Sequence, residues 1–315
     1  MELKGGYMTL TDVKQCFRCS RPIQNEDAMI EGLHAACFCD WFQVKKTDDF
    51  QDVIARSSEI ISNGWARIAS SFFHGKFRKY SAKLKQKNYL LKVQEEEFLE
   101  LPAMEYLCNQ IARQLGLWVP DHFFIKFQNE LDTFVCENFM QNYPGCNLIH
   151  IYRFLEKPDQ FSCEGLLHVL EREVKRADEI CRLVKLCLFD SLIGNHDRHG
   201  RNLGLIQSGS ELSLAPFYDN PSYIALEHPM LLGALHEPRG AIATKKTQEP
   251  SMRDYVQEWA RLDFAQPIQE FKQQINLQQI HDLIRQSFVS LKRQKALINL
   301  IERRYNELCD AIQKI

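Results

Sequence analysis

The residues best suited to chemistry crowd into one stretch, 192–206, where Asn195, His196, Asp197, Arg198, His199, Arg201 and Asn202 stand between an apolar helical run and a short apolar strand. Asp197 can accept the proton of a substrate hydroxyl, and the Asn202 carboxamide oxygen can take a metal ion. Their Asp-x-x-x-x-Asn spacing holds a base and a metal ligand on one loop, as phosphoryl transfer requires. Residues 203–206 and 212–215 read as two strands joined by the turn Gln207-Ser208-Gly209-Ser210. Such a hairpin returns the chain to its starting end, so Asp219, in Pro216-Phe217-Tyr218-Asp219, is expected beside Asn202. Two hard oxygen donors, with water and phosphate completing the shell, suit Mg2+.

Two more charged residues fit the same chemistry. Lys92 lies inside the apolar strand Tyr89-Leu90-Leu91-Lys92-Val93, where an unpaired ammonium is costly to bury, so it needs a carboxylate or a phosphate. Glu105 is the candidate carboxylate, near the start of a helix marked by Met104, Leu107, Ile111 and Leu115, with Pro102 in the first turn and Gly116 at the cap. A first-turn acid that favours the helix dipole has the same appearance. Upstream, the basic turn at residues 70–81 carries Gly75 and can wrap a phosphate through backbone N–H groups and charge. A plain basic hairpin has the same signature.

These residues need elements to hold them. The clearest helix carries Ile180, Leu183, Val184, Cys187, Leu188 and Leu192 on one face and ends at Gly194, delivering the loop that bears Asp197. Residues 123–127 and 133–136 flank the turn Gln128-Asn129-Glu130 and, with residues 89–93, form a mostly antiparallel sheet. Cys136-Glu137-Asn138-Phe139 is expected to be a hinge that meets an adenine edge, with Glu137 the nucleotide-contacting candidate, although any strand-to-helix crossover reads alike. Residues 45–69 read as a polar connector with a helical patch at 53–61, and the pattern is helical from about residue 147 onward. Residues 227–251 have few apolar anchors and read as a mobile, substrate-facing or solvated loop. Leu297, Ile298, Ile301, Tyr305, Leu308 and Ile312 form a final helical stripe. His196 and His199 are candidates for phosphate or metal contact, but histidines beside such loops more often hold the backbone rigid.

With 315 residues, 45% of them hydrophobic, the chain can build one large bilobal domain or two ordinary ones. A net charge of −2 gives no global attraction to nucleic acid or anionic membranes. No apolar run approaches a membrane span and the start lacks a signal-peptide core, so a cytoplasmic protein is expected. The 11 cysteines, many on apolar helical faces, fit a reducing compartment. Cys16, Cys19, His34 and Cys37 have the ligand types and spacing of a small structural Zn2+ knuckle, and a set of reduced cysteines is the alternative. The expected division is a Cys/His module at 1–45, an N-lobe at 46–140 and a helical C-lobe at 141–315.

The single-glycine turn, the strand lysine, Ala103-Met104-Glu105-Tyr106-Leu107-Cys108, Gln114-Leu115-Gly116-Leu117-Trp118-Val119-Pro120, Gly194-Asn195-His196-Asp197-Arg198-His199-Gly200-Arg201-Asn202 and Leu214-Ala215-Pro216-Phe217-Tyr218-Asp219 together resemble the HipA-like family of bacterial toxin kinases, in the right order over residues 70–310. The length is closer to the short HipT-type members, whose N-terminal subdomain is a separate protein. The resemblance implies an α+β, bilobal protein-kinase-like fold with a small antiparallel lobe and a large helical one. It implies an ATP- and Mg2+-dependent serine/threonine kinase, with Lys92 on the phosphates, Asp197 as base, and Asn202 and Asp219 on Mg2+. It also implies a protein substrate such as an aminoacyl-tRNA synthetase, and antitoxin partners: a HipB-like DNA-binding protein and a HipS-like subdomain protein. The chain departs from the family at the glycine turn, where Phe73 and His74 stand in place of the usual autophosphorylated serine. It departs again at Glu137-Asn138-Phe139, which replaces an Arg-Phe-Asp-Arg ending.

Three rivals compete. Gly194-Asn195-His196-Asp197 matches a fragment of metallophosphoesterases, but their upstream Asp-x-His and Gly-Asp segments are missing. Asp197-Arg198-His199 followed by Asn202 also resembles phosphoinositide kinases, whose inositol hydroxyl makes the same demand on Asp197. A pseudokinase scaffold whose cysteine module is the active part is the third.

Overall fold

The computed structural model describes residues 15–24, 29–56, 78–157 and 160–315. The chain opens with a two-stranded ribbon, β1 (Met29–Ile30) and β2 (Leu33–His34), followed by α1 (Ala35–Phe42). A five-stranded antiparallel sheet comes next, built from β3 (Phe50–Ala55), β4 (Arg78–Leu84), β5 (Lys87–Val93), β6 (His122–Phe127) and β7 (Leu131–Glu137) in the order β3-β4-β5-β7-β6. Helix α2 (Leu101–Gln114) runs between β5 and β6.

Two of these strands correct the sequence reading. Val53, Ile54 and Ala55, expected in a helical patch, lie in β3, which pairs with β4 across a bulge at Asp52, φ 50°. Backbone pairing with β4 at the sheet edge, with Val53 and Ile54 left exposed, has overridden a short and ambiguous apolar pattern; the rest of that patch lies outside the described residues. Residues 78–81, expected in a basic turn, open β4, because Tyr80, Ala82 and Leu84 alternate toward the core while cations alternate away from it. Lys85, at φ 57°, turns the chain tightly into β5.

The second layer is helical. It comprises α3 (Cys163–Val169), α4 (Ala177–Ile193), α5 (Met252–Arg261), α6 (Ala265–Gln274), α7 (Leu277–Arg285) and α8 (Leu291–Ile312); α5, α6 and α8 pack on α4, which is largely apolar and correspondingly buried, and α7 packs on α8 and α2. Leu297, Leu300, Ile301 and Leu308 of α8 are buried, as the final stripe predicts. Met104, Leu107, Ile111 and Leu115 share this helical core, while Leu91, Val93, Phe123, Ile125 and Val135 line a separate core beneath the sheet. None of the helices among the described residues is long and apolar enough to cross a membrane.

The expected hairpin, β9 (Gly204–Ser208) with β10 (Glu211–Leu214), is present, with Ser208 opposite Glu211. It is part of a three-stranded sheet, because β8 (Asn147–His150), expected to be helical, pairs antiparallel with β9. Residues 227–251 hold no regular helix or strand beyond a bridge at Ala243, but their second half is not a solvated loop. Ile242 and Ala243 are buried, the Tyr255 hydroxyl donates to the Ile242 carbonyl at 2.9 Å, and the Cys163 N–H donates to the Ala243 carbonyl at 2.8 Å.

Candidate functional site

Helix α4 ends at Gly194, whose φ of 72° lies in the left-handed region, and the Asn195 N–H closes the turn on the Asp190 carbonyl at 2.8 Å. A side chain there would also collide, because an added Cβ would lie 2.8 Å from Pro238 Cγ and 2.9 Å from Leu300 Cδ2. The loop is then held by its own polar groups. The Asp197 N–H donates to Asn195 Oδ1 at 3.1 Å, the His199 N–H donates to Asn202 Oδ1 at 2.8 Å, and Asn202 Nδ2 donates to the Asp197 carbonyl at 2.8 Å. His199 Nδ1 accepts the Arg201 N–H at 3.1 Å, which is the bracing role expected of it, and its Nε2 stands 3.9 Å from Asp197 Oδ2.

Arg198 is the hub. Its Nε and Nη2 form a bidentate pair with Asp190 of α4 at 2.7 and 2.8 Å, and Nη1 donates to the carbonyls of Asn202 and Tyr218 at 3.1 and 2.7 Å. Nη2 also reaches Asn220 Oδ1 at 2.6 Å; Asn220 in turn donates to Asn109 Oδ1 at 3.0 Å, and Asn109 to the Glu105 carbonyl at 2.8 Å. One buried guanidinium therefore joins the loop, the segment after the hairpin and α2. The roles of Asp190, Asn109 and Asn220 escape a reading by motif. Their one signal is polarity inside apolar runs, as in Leu188-Phe189-Asp190-Ser191-Leu192, where a buried carboxylate demands a partner.

On the other side of the site Lys92 is 2% exposed and lies between two carboxylates, Glu105 of α2 at 2.5 Å and Asp219. Burial alone would lower the lysine, but the Asp219 and Glu105 charges more than offset that and hold it as an ammonium. Asp219, despite burial, is held well below the usual carboxylate range, chiefly by Lys92 and then Lys79. Burial raises the Glu105 carboxyl, and Lys92 opposes that rise. Asp219 has a φ of 56°, a left-handed conformation that a non-glycine residue adopts at a cost and that tends to mark functional sites.

Lys92, Glu105 and Asp219 thus come together directly, and Arg198 ties the Asn202 backbone to the residue before Asp219. Gly75 lies outside the described residues. The Glu137 side chain is already engaged by Lys87 Nζ at 2.8 Å and Gln141 Nε2 at 2.7 Å. The donor set fits a magnesium–nucleotide pair: an ionised Asp219, an Asn202 oxygen with lone-pair capacity beyond its one N–H contact, and an ammonium beside them. Far along the sequence, Cys16, Cys19, His34 and Cys37 also converge, with ligand atoms all within 4.8 Å of one another.

No curated protein sequence matches the chain. Among solved structures, the Helicobacter pylori proinflammatory kinase CtkA is similar with a TM-score of 0.63 and 16% identity, over 75% of this chain and 93% of that one. A chain from the Shewanella oneidensis MR-1 toxin–antitoxin complex of HipA, HipB and operator DNA is similar with a TM-score of 0.53 and 15% identity, over 89% of this chain and 70% of that one. The expected α+β, kinase-like fold is the one these structures share. The HipA-like C-terminal domain matches residues 69–290, more than half of the chain, and the chain belongs to that family.

Proposed function

We propose that the chain is an ATP- and Mg2+-dependent serine/threonine protein kinase of HipA type. The observation that carries this reading is the buried Lys92 bridging Glu105 of α2 and Asp219 beyond the hairpin, the pairing by which kinases orient nucleotide phosphates. Asn202 and Asp219 would hold the metal, and Lys92 would face the phosphates. Bound Mg·ATP supplies the γ-phosphoryl group and neutralises the charge that develops during its transfer. Asp197, braced through its backbone by Asn195 and Asn202, accepts the proton of the substrate hydroxyl as the new oxygen–phosphorus bond forms and ADP departs. His199 does not compete for that proton near neutrality, because burial lowers its pKa to about 4. The rest of the catalytic effect is positioning, which the Arg198 hub supplies.

On likeness to the Shewanella assembly, a DNA-binding antitoxin is the expected companion. A short, HipT-type arrangement with a separate subdomain partner is the form that the sequence resemblance implies. An aminoacyl-tRNA synthetase is the first substrate to try. The test is incubation of the chain with γ-labelled ATP, Mg2+ and a cell lysate, followed by identification of labelled proteins. Wild type labels a protein at serine or threonine, and Asp197→Asn abolishes labelling while nucleotide binding persists. Labelling of inositol lipid alone would replace this reading with a lipid kinase, and nucleotide binding without transfer would leave a scaffold.

A further inference from the structure

The Cys/His cluster lies in a part of the chain that the phosphotransfer reading does not use. Cys16 and Cys19 sit on a tight turn in which the Cys16 N–H donates to the Arg21 carbonyl at 3.0 Å and the Ser20 N–H to the Cys16 carbonyl at 2.8 Å. Ser20 is left-handed there, at φ 57°. His34 ends β2 and Cys37 falls in the first turn of α1, so the ribbon and the turn face each other. His34 Nδ1 is 3.4 Å from Cys19 Sγ and 3.9 Å from Cys37 Sγ. A tetrahedral zinc with Zn–S of about 2.3 Å and Zn–N of about 2.0 Å sets its ligand atoms roughly 3.5–3.8 Å apart, which these separations bracket. The other ring nitrogen, Nε2, contacts the Pro22 carbonyl at 3.2 Å, the outer bond that fixes a metal-ligating histidine with its Nδ1 toward the ion. The His34 N–H lies 3.4 Å from Cys16 Sγ and can donate to that sulfur, and all three cysteines are free thiols.

We infer that Cys16, Cys19, His34 and Cys37 bind one structural Zn2+ that clips the N-terminal segment across both hydrophobic cores. The clip is Phe17, between the two cysteines of the turn. Its ring packs at 4.9 Å on Phe124 of β6 and at 4.7 Å on Phe288, in the connection between α7 and α8. From the other side of the cluster, Phe42 of α1 packs at 4.4 Å on Phe123. The ribbon tip is seated on the β6–β7 turn: the Lys126 N–H donates to the Glu31 carbonyl at 2.9 Å and the Gly32 N–H to Asn129 Oδ1 at 3.1 Å. Gly32 is required at that contact, since a Cβ there would lie 2.7 Å from Lys126 Cβ. With four protein ligands the ion has no open position for chemistry, so its effect is on folding and on the junction between sheet and helices.

The experiment measures metal content and spectrum on the full chain. Wild type purified without chelator is expected to carry one equivalent of zinc. Replacement by Co2+ gives the intense visible bands of a tetrahedral thiolate site. EDTA lowers the melting temperature of wild type and leaves that of Cys19→Ser unchanged, because that variant no longer holds the ion. Cys39→Ser, just outside the cluster, keeps full metal content. The inference is overturned if wild type incubated with Zn2+ or Co2+ binds less than stoichiometric metal, if its cobalt spectrum is octahedral, or if Cys39→Ser loses as much zinc as Cys19→Ser. Should Cys19→Ser fail to fold, the cobalt spectrum of wild type decides alone.

Discussion

The Arg198 hub makes the sharpest demand on experiment. Arg198 is 1% exposed and Asp190 3%, and the two share a bidentate pair. Arg198→Met leaves the Asp190 carboxylate buried without its cation, a loss of about 3–5 kcal/mol for a broken buried pair. It also removes the charged donor from the carbonyls of Asn202 and Tyr218 and from Asn220 Oδ1. Each buried acceptor left unsatisfied costs a further 1–3 kcal/mol or so. Against a total stability of roughly 5–15 kcal/mol, the pair term alone brings the chain near its unfolding threshold. The double variant Asp190→Leu/Arg198→Met removes both charges together and should recover most of that loss, because a matched apolar pair needs no compensating ion. It should not fully recover the loop, since the charged link from residue 202 to residues 218 and 220 is lost, with the Tyr218 hydroxyl on the Arg201 carbonyl at 3.1 Å and Asn195 Nδ2 on the Asp219 carbonyl at 3.4 Å left to join the two segments. Denaturant unfolding followed by tryptophan fluorescence reads the first effect, and Mg2+-dependent binding of a nucleotide analogue reads the second. A single variant within about 1 kcal/mol of wild type, or a double variant no more stable than the single, would refute the hub.

Asp219→Asn should weaken Mg2+-dependent nucleotide binding by at least roughly tenfold, the equivalent of about 1.4 kcal/mol, and unchanged affinity in a calorimetric titration would count against the metal assignment. His122 is buried, and its pKa is lowered to about 4, by burial first and then by Arg113, against the opposing Pro120 carbonyl. The unfolded chain therefore takes up the proton first. Stability is fully present above pH ~6.5 and falls as pH drops toward 4, by up to about 1.4 kcal/mol per pH unit for this group. Because His196 and His199 are lowered to about 4 as well, His122→Gln should reduce the slope of an unfolding series across that window by one such contribution, and an unaltered slope would exclude His122 as a source. Gly194→Ala meets both a left-handed backbone and two close neighbours, so it should cost about 1–2 kcal/mol from conformation alone and more from packing. A melting temperature equal to wild type would show that the end of α4 can relax.

Much of the site was legible in the chain because it is written in local spacing. The five-position step from Asp197 to Asn202, the chain reversal within residues 207–210 and the lysine inside an apolar strand are each decided within a few positions, by backbone geometry and the cost of burying charge. The Cys-x-x-Cys and His-x-x-Cys pairs are local in the same sense, although only the fold brings one pair against the other. The errors fall on short runs. Residues 53–55 and 147–150 carry too few positions to separate a period of two from one of 3.6, and residues 78–81, expected in a basic turn, are drawn into a strand by pairing with residues 90–93; in each case the strand partner decides the matter. The second half of residues 227–251 looked unanchored because its anchors are distant: Phe161, Cys163 and Tyr255. No spacing rule could join Asp190, Arg198, Asn220, Asn109 and Glu105, since hydrogen bonds between side chains on different elements leave no period in the sequence. Residue type and spacing determined which groups could do chemistry. Tertiary packing alone decided which of them meet, because burial forces each polar group to find its partner wherever the fold places one.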